Sequence, residues 1–139
     1  MMELHVVAMK QVGAYKGEGP WNDDLIDIEN HYLNAGGDFL VGEIDGTIVA
    51  MGAFRKDRDG FAEVKRMRVD PDFQGRCYGK QILKELEKRA RVSGYKGFIL
   101  ETSEVQKSAR ALYQQDGFVP IRDEIIDGYA CTWYRKIFR

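Results

Sequence analysis

The sequence lacks the features that mark a secreted, membrane or nucleic-acid-binding protein. It has only two cysteines, Cys77 and Cys131, which are too few and too far apart for a disulfide framework or a metal-binding cluster. No apolar run approaches the roughly 20 residues that a membrane-spanning helix needs, and the N-terminus has no basic stretch followed by an apolar block. The formal net charge is only −1, so no excess of charge favours nucleic acid or an anionic membrane. We therefore expect a cytoplasmic protein without metal, nucleic-acid partner or membrane contact.

What the sequence does contain is an ordinary globular composition in a chain of one-domain length. Of its 139 residues, 44% are hydrophobic and 31% are charged, as in typical folded domains. No internal repeat, low-complexity tract or linker divides the chain. Residues 1–139 are therefore expected to form a single domain with its own core.

Turn signals divide the chain into short strands and amphipathic helices. Asp45-Gly46 predicts a two-residue hairpin between strands at Phe39–Ile44 and Thr47–Arg55. A third strand is expected over Phe61–Val69 and ends before Pro71, which cannot donate to a sheet. The remaining elements are a strand at Leu4–Met9, a helix with Leu25, Ile28, Tyr32 and Leu33 at helical spacing, a helix from Tyr78, a strand at Phe98–Thr102, a helix with Val105, Ala109, Leu112 and Tyr113 on one face, and a last strand at Tyr129–Phe138. This order predicts a mixed α/β sheet.

The most informative stretch is the loop Phe73–Lys80, which connects the third strand to the next helix. A helix N-terminus presents unpaired N–H groups and the positive end of the helix dipole, which suit a phosphate. Gly75 and Gly79 let the backbone approach an anion closely, while Arg76 and Lys80 add positive charge. The alternative is an ordinary strand-to-helix turn with solvated cations.

Two other phosphate loops do not fit the sequence. Gly75 and Gly79 have three residues between them and Gln81 follows Lys80, whereas a Walker loop needs four residues and then Lys-Ser or Lys-Thr. The dinucleotide fingerprint Gly-x-Gly-x-x-Gly is absent as well. A small kinase with a similar loop remains a rival reading, although no magnesium-binding carboxylates are evident.

Two segments carry recognisable motifs in order along the chain. Met67-Arg68-Val69 followed by Gln74-Gly75-Arg76-Cys77-Tyr78-Gly79 is similar to an apolar-x-Val strand end and a loop of the form Arg/Gln-x-x-Gly-x-Gly/Ala, with Cys77 at the usual central glycine. Ala109–Phe118 is similar to Ala-x-x-Leu-Tyr-x-x-x-Gly-Phe, and Gln106 stands where asparagine is frequent. Together these motifs resemble the GCN5-related N-acetyltransferase (GNAT) family. The resemblance is specific over residues 61–118 and looser elsewhere.

The resemblance implies a fold and a coenzyme. The fold is a mixed, mostly antiparallel central sheet with splayed central strands, flanked by about four helices. In this fold the pantetheine arm of acetyl-CoA lies between the strands that correspond here to Phe61–Val69 and Phe98–Thr102, and no metal is involved. The expected coenzyme-binding residues are Met67, Arg68, Val69, Gln74, Gly75, Arg76, Cys77, Tyr78, Gly79, Lys80 and Gln106.

The resemblance also implies an acyltransferase that moves acetyl directly from the thioester to an amine. Tyr113 matches the family tyrosine that gives a proton to the departing thiolate, although its helical spacing also suits a core aromatic. Glu63 and Glu101 are the candidate general bases, and surface carboxylates of alternating strands are the other reading. Cys77 is expected to fill a glycine position and not to act as a nucleophile, because no base is near in sequence.

The sequence leaves the identity of the acceptor open, as a small-molecule or a peptide amine. Asp23, Asp24, Asp27 and Glu29 form an acidic segment, which would attract a cationic polyamine or aminoglycoside, or would be a solvated helix face. An inactive acetyl-CoA-binding sensor of the same fold is the second functional hypothesis. A homodimer formed through the last strands also stays open.

Overall fold

A six-stranded mixed sheet supports the chain. The computed structural model describes residue 24, residues 27–103 and residues 106–139. Its strands are β1 (Asp38–Ile44), β2 (Thr47–Lys56), β3 (Phe61–Val69), β4 (Gly97–Ser103), β5 (Val119–Ile126) and β6 (Tyr129–Ile137), in the order β1-β2-β3-β4-β6-β5. Its helices are α1 (Ile28–His31), α2 (Tyr78–Val92) and α3 (Lys107–Gln115), with 3₁₀ turns at Leu33–Ala35 and Pro71–Phe73. The predicted strand Leu4–Met9 and the predicted helical position Leu25 lie outside the described residues.

The elements follow the local sequence signals closely. Asp45 and Gly46 have φ values of +52° and +79°, which is the left-handed pair that a type I′ hairpin between β1 and β2 requires. Helix α2 begins at the predicted Tyr78, and Gly94, with φ of +90°, follows its end. None of the described helices is both long and apolar enough to cross a bilayer.

The central parallel strands β3 and β4 pair over only a short distance. The three paired positions are Phe61 with Gly97, Ala62 with Phe98 and Glu63 with Ile99. Beyond them, residues 64–69 of β3 and residues 100–103 of β4 have no ladder partners on each other. The two strands therefore leave a gap at their carboxyl ends, which confirms the expected splay.

A bulge interrupts β3 inside this gap. Arg66 has φ of +60°, and the pairing of β3 with β2 shifts between Met51 and Ala53, which face Arg68 and Lys65. An L residue in the left-handed region costs roughly 1–2 kcal/mol, so tertiary contacts of Arg66 must hold this conformation. The extra residue also changes which side chains of β3 point to each face of the sheet.

The two faces of the sheet differ in chemistry. One face packs against α2, whose Leu83, Leu86 and Ala90 meet a core that includes Phe54 and Leu100. Directly paired residues point to the same face and residues two apart along a strand do so as well. The strand registers therefore bring a set of charged residues together on the opposite face. This charged face includes Arg55, Glu63, Lys65, Arg68 and Glu101, and also Arg135, which pairs with Ile99.

Candidate functional site

A cavity of about 530 Å³ opens where β3 ends, between the start of α2 and one side of α3. It occupies the place where β3 and β4 diverge, so that both the Phe73–Lys80 loop and α3 contribute to its wall. The described residues that line it are Met67, Arg68, Val69, Phe73, Gln74, Gly75, Cys77, Tyr78, Gly79, Lys80, Gln106, Ser108, Ala109, Leu112, Tyr113 and Gln115.

The loop wall has the geometry of an anion site. Helix α2 begins at Tyr78, so the N–H groups of its first turn have no intrahelical acceptors. Gly75 has φ of +78° with open space around its Cα, and Lys80 lines the same wall. The Gln74 side-chain amide donates to the Val69 carbonyl at 3.3 Å and fixes the loop to the strand end. Backbone N–H groups and one cation therefore face a common space, as a phosphate requires.

Cys77 adopts the conformation of the glycine that it replaces. It is the residue before α2, with φ of +64° and ψ of +17°, and its side chain is exposed. A side chain in this region is strained by roughly 1–2 kcal/mol. The preference for glycine at this motif position therefore has a direct backbone cause in this chain.

Tyr113 forms the opposite wall. Its side chain is only 5% exposed and lies in α3 beside Phe118, at a centroid distance of 5.6 Å. Burial raises the pKa of Tyr113 to about 12, with Arg68 opposing the shift. The phenol is therefore protonated at neutral pH and is available as a proton donor inside the cavity.

Arg68 is a half-buried cation whose Nε atom is buried without a partner. Its Nη1 donates to the Met67 carbonyl at 2.7 Å, whereas its Nε is buried without a hydrogen-bond partner. Burial lowers the pKa of Arg68 to about 10. A buried unpaired donor is costly, so the cavity holds a position that an acceptor atom would satisfy.

The two candidate bases lie on the charged face and not in the cavity wall. Glu63 is 17% exposed, has Arg55 at 3.8 Å, and its pKa is raised by burial despite the nearby Lys65. Glu101 is exposed and acts on Glu63 electrostatically. A raised carboxyl pKa suits a general base that works near neutral pH, which favours Glu63 over Glu101.

A buried ion pair fixes the β3 bulge. Arg66 donates from Nε and Nη2 to the two oxygens of Asp24, at 2.8 and 2.5 Å, and the Tyr32 hydroxyl donates to the same carboxylate. Asp27 instead caps α1 by accepting from Asn30. Asp24 is thus neutralised by Arg66, whereas Asp27 caps α1 and stays exposed.

The cavity brings together most of the residues proposed from the sequence. Arg76 is the exception among the coenzyme residues, because its guanidinium stacks over Phe73 at 5.2 Å and is outside the lining. Phe73 belongs to the predicted loop, whereas Ser108, Ala109, Leu112 and Gln115 were not proposed as site residues, yet all five line the cavity. The signal for the last four is their position on one side of α3, since they lie three or four residues apart.

The lining fits a long, negatively charged coenzyme with an apolar arm. Its charged residues among those described are Arg68 and Lys80, and both are cationic. Met67, Val69, Ala109 and Leu112 supply an apolar stretch along the splay. The described residues contain no group of three or more histidine, cysteine, aspartate or glutamate side chains that could hold a metal ion.

Comparison with known sequences gives a consistent family. The sequence model of the Acetyltransferase (GNAT) family matches residues 6–118. The IAA acetyltransferase of Azospirillum brasilense is 41% identical over 81 residues, which cover 58% of this chain and 53% of that protein. The N-acetylaspartate synthetase of Xenopus tropicalis is 31% identical over 120 residues, which cover 83% and 44%. The chain therefore spans about half the length of these relatives.

Solved structures share the fold over nearly the whole chain. An acetyltransferase of the GNAT family from Staphylococcus aureus Mu50 superposes with a TM-score of 0.87 at 22% identity, covering 99% of this chain and 90% of that one. The PaiA N-acetyltransferase of Thermoplasma acidophilum, solved in complex with coenzyme A, gives 0.76 at 19% identity with the same coverage. At these identities the likeness establishes the fold alone.

Proposed function

Because the chain belongs to the acetyltransferase (GNAT) family, we propose that it is an N-acetyltransferase that moves the acetyl group of acetyl-CoA directly to an amine. One observation carries the proposal: a buried Tyr113 and the Phe73–Lys80 anion loop line a single cavity in the splay. A loop alone would support phosphate binding, and a buried tyrosine alone would support packing. Their convergence supports group transfer from a phosphate-bearing coenzyme.

Acetyl-CoA is the proposed co-substrate, and it supplies the activated acetyl group as a thioester. Lys80, Gly75 and the first turn of α2 hold its pyrophosphate mainly through backbone N–H groups. The edge of β3 that has no partner on β4 offers backbone N–H groups around Met67 and Val69 to the pantetheine arm. A relative in fold that is solved with coenzyme A supports this choice.

Proton movements complete the reaction. The amine nitrogen forms a bond to the acetyl carbon while the bond from that carbon to sulfur breaks. Glu63, directly or through water, takes the proton that the amine gives up, and its burial-raised pKa suits this role. Tyr113 gives its phenolic proton to the departing sulfur and regains one from solvent. No metal is required in these steps.

The direct test follows free thiol while the purified protein is incubated with acetyl-CoA and a panel of primary amines. We expect thiol release that depends on the amine and a product heavier than the amine by one acetyl group. Tight coenzyme binding without thiol release for any amine would overturn the proposal and favour an acetyl-CoA sensor. Cys77 gives that second reading its support, since it departs from the usual loop glycine. Thiol reagents label Cys77, so the product mass and not the thiol signal alone decides the outcome.

A further inference from the structure

We propose that the acceptor amine also carries an acid group, as an amino acid does, and that the Arg68 guanidinium binds that group. The proposal rests on the acetyltransferase function above and names the substrate class of the same site. It makes Arg68 a specificity-determining residue in place of the coenzyme-binding role that the sequence motif suggests. The acceptor is then a molecule of two parts, an amine that reacts and an acid that positions it.

The buried polar atoms that lack partners point to a ligand that accepts hydrogen bonds. Among the described residues, two buried side-chain atoms have no hydrogen-bond partner, Arg68 Nε and Trp133 Nε1. Both are obligatory donors. Trp133 pairs directly with Glu101 in the β4–β6 ladder, so both donors lie on the charged face. The unpaired donor of Arg68, which belongs to a cationic side chain in the cavity lining, is complementary to an acceptor such as a carboxylate.

The direction of the Arg68 side chain separates it from the coenzyme wall. Met67 and Val69 face α2: Met67 packs in the core with Leu83 and Leu86, and the Val69 side chain would lie 3.5 Å from a Cβ at Gly79. Arg68 points to the opposite face, yet it lines the same cavity because the cavity passes through the splay.

The electrostatic neighbours of Arg68 agree with this direction. They are Tyr113, Arg66, Glu101 and Tyr32, and no loop cation is among them. The guanidinium therefore faces the side from which an amine would reach Tyr113 and Glu63, away from the pyrophosphate loop.

The charge balance of this face also favours an anion. Around the splay, the charged face carries the cations Arg55, Lys65, Arg68 and Arg135 and the two carboxylates of Glu63 and Glu101. Arg55 pairs with Glu63 at 3.8 Å, and Asp24 neutralises Arg66 beside it. Arg68 has no carboxylate within ion-pair distance among the described residues. A polyamine would bring further positive charge to a half-buried cation, whereas an acid group would neutralise it.

The first experiment uses the wild-type protein and matched acceptors that differ only in the acid. L-phenylalanine, L-phenylalaninamide and phenethylamine form one series, L-alanine and L-alaninamide form another, and spermidine represents the polyamines. We expect kcat/KM for the acid-bearing member to exceed that of its acid-free counterpart by at least about 10-fold, since a hydrogen bond to a charged group contributes that much or more. The amine of the amide is less basic, so more of it is unprotonated at neutral pH, and this larger reactive fraction works against the expected result. Equal or better transfer to the acid-free amines would overturn the inference.

The second experiment assigns the preference to Arg68. Arg68→Gln is expected to raise KM for the acid-bearing acceptor by about 10- to 100-fold, with little change for its amide and for acetyl-CoA. Arg68→Lys is expected to keep part of the preference, because it retains charge without the planar fork. Arg89→Gln, on the exposed side of α2, is the matched control. Equal losses on acid and amide, or a weakened affinity for acetyl-CoA, would overturn the role of Arg68.

The two levels of failure can be told apart. Absence of acetyl transfer to every amine contradicts the proposed function itself. Transfer that favours acid-free amines leaves the function intact and contradicts only the acid-bearing acceptor. If Arg68→Gln does not fold, the wild-type series and Arg68→Lys still decide the question.

Discussion

Arg66 and Asp24 form a bidentate ion pair across 42 residues of sequence, with Nε to Oδ2 at 2.8 Å and Nη2 to Oδ1 at 2.5 Å. Both side chains are about nine-tenths buried, at 11% and 9% exposure. The pair joins the region before α1 to the bulge of β3, at the edge of the splay. It therefore links the stability of the fold to the shape of the site.

Asp24→Asn should destabilise the protein by about 3 kcal/mol, because removing one partner leaves a buried arginine without its counter-charge. Chemical denaturation measures the free energy of unfolding. Asp38→Asn is the matched control, since Asp38 pairs with Arg89 at 2.8 Å but in an exposed setting, where such pairs contribute about 1 kcal/mol or less. Equal losses in the two variants would contradict the special role of the buried pair.

Acid stability should depend on the same carboxylate. Burial raises the pKa of Asp24, but hydrogen bonds from Arg66 and Tyr32 more than offset it, so that the pKa falls to about 2. A depressed carboxyl pKa stabilises the fold at pH values above the unfolded pKa of about 4 and loses this contribution as pH falls towards 2. Between pH 4 and 2, the free energy of unfolding should therefore fall more steeply with decreasing pH in the wild type than in Asp24→Asn. Parallel curves would show that Asp24 does not titrate in this window.

Tyr113→Phe should lower kcat by about 100-fold or more, in the range of general acid catalysis, with nearly unchanged affinity for acetyl-CoA. Because the pKa of Tyr113 is about 12, wild-type turnover should also show no loss from phenol ionisation up to about pH 11. Steady-state kinetics and coenzyme titration separate the two effects. Tyr95→Phe, whose hydroxyl donates to the Gly36 carbonyl outside the cavity, serves as the control. Full turnover in Tyr113→Phe would remove the tyrosine from the mechanism.

Glu63→Gln should remove the acidic limb of the kcat/KM profile and reduce the rate at neutral pH by about 100-fold. The reason is that burial raises the Glu63 pKa towards the working range. Glu101→Gln should have a smaller effect, because that side chain is exposed. A pH–rate profile that is unchanged in both variants would exclude both as bases.

Cys77→Gly should stabilise the protein by about 1 kcal/mol and keep or tighten coenzyme binding, since it relieves a left-handed conformation at φ of +64°. Cys77→Ala is the control, because it removes the thiol but keeps the strained backbone. Thermal unfolding and coenzyme titration provide the measurements. A large loss of affinity in Cys77→Gly would contradict the placement of this residue beside the pyrophosphate.

Local signals predicted the elements well where a single residue type determines the backbone. Asp45-Gly46 predicts a hairpin and Tyr78 marks the start of α2, as found. Strand β5 was not predicted individually, because Pro120 and the charged Arg122-Asp123-Glu124 hide its periodicity and nearly all its side chains are exposed. A strand at the edge of a sheet can be exposed on both faces, so its sequence need not alternate between apolar and polar residues.

The site was predictable in its motifs but not in its electrostatics. Nothing local indicates that Arg66 lies in the left-handed region, because the conformation depends on Asp24, which is distant in sequence. For the same reason, the acidic segment suggested a free negative surface when Asp24 is an internal counter-ion. The unpaired Nε of Arg68 is likewise a property of three-dimensional surroundings. Pairing between distant charges is the information that sequence periodicity does not contain.

The short β3–β4 ladder has a mechanical consequence. Three residue pairs are all that join the β1-β2-β3 half of the sheet to the β4-β6-β5 half through strand pairing. The proposed coenzyme, seated between these halves, would supply hydrogen bonds that β3 and β4 do not make with each other, and would so add to the stability of the sheet. Because such a ligand binds only the folded state, it stabilises that state by a free energy that rises with the logarithm of its concentration over Kd. The gap between β3 and β4 is thus both the proposed binding site and the place where ligand binding would change the rigidity of the sheet.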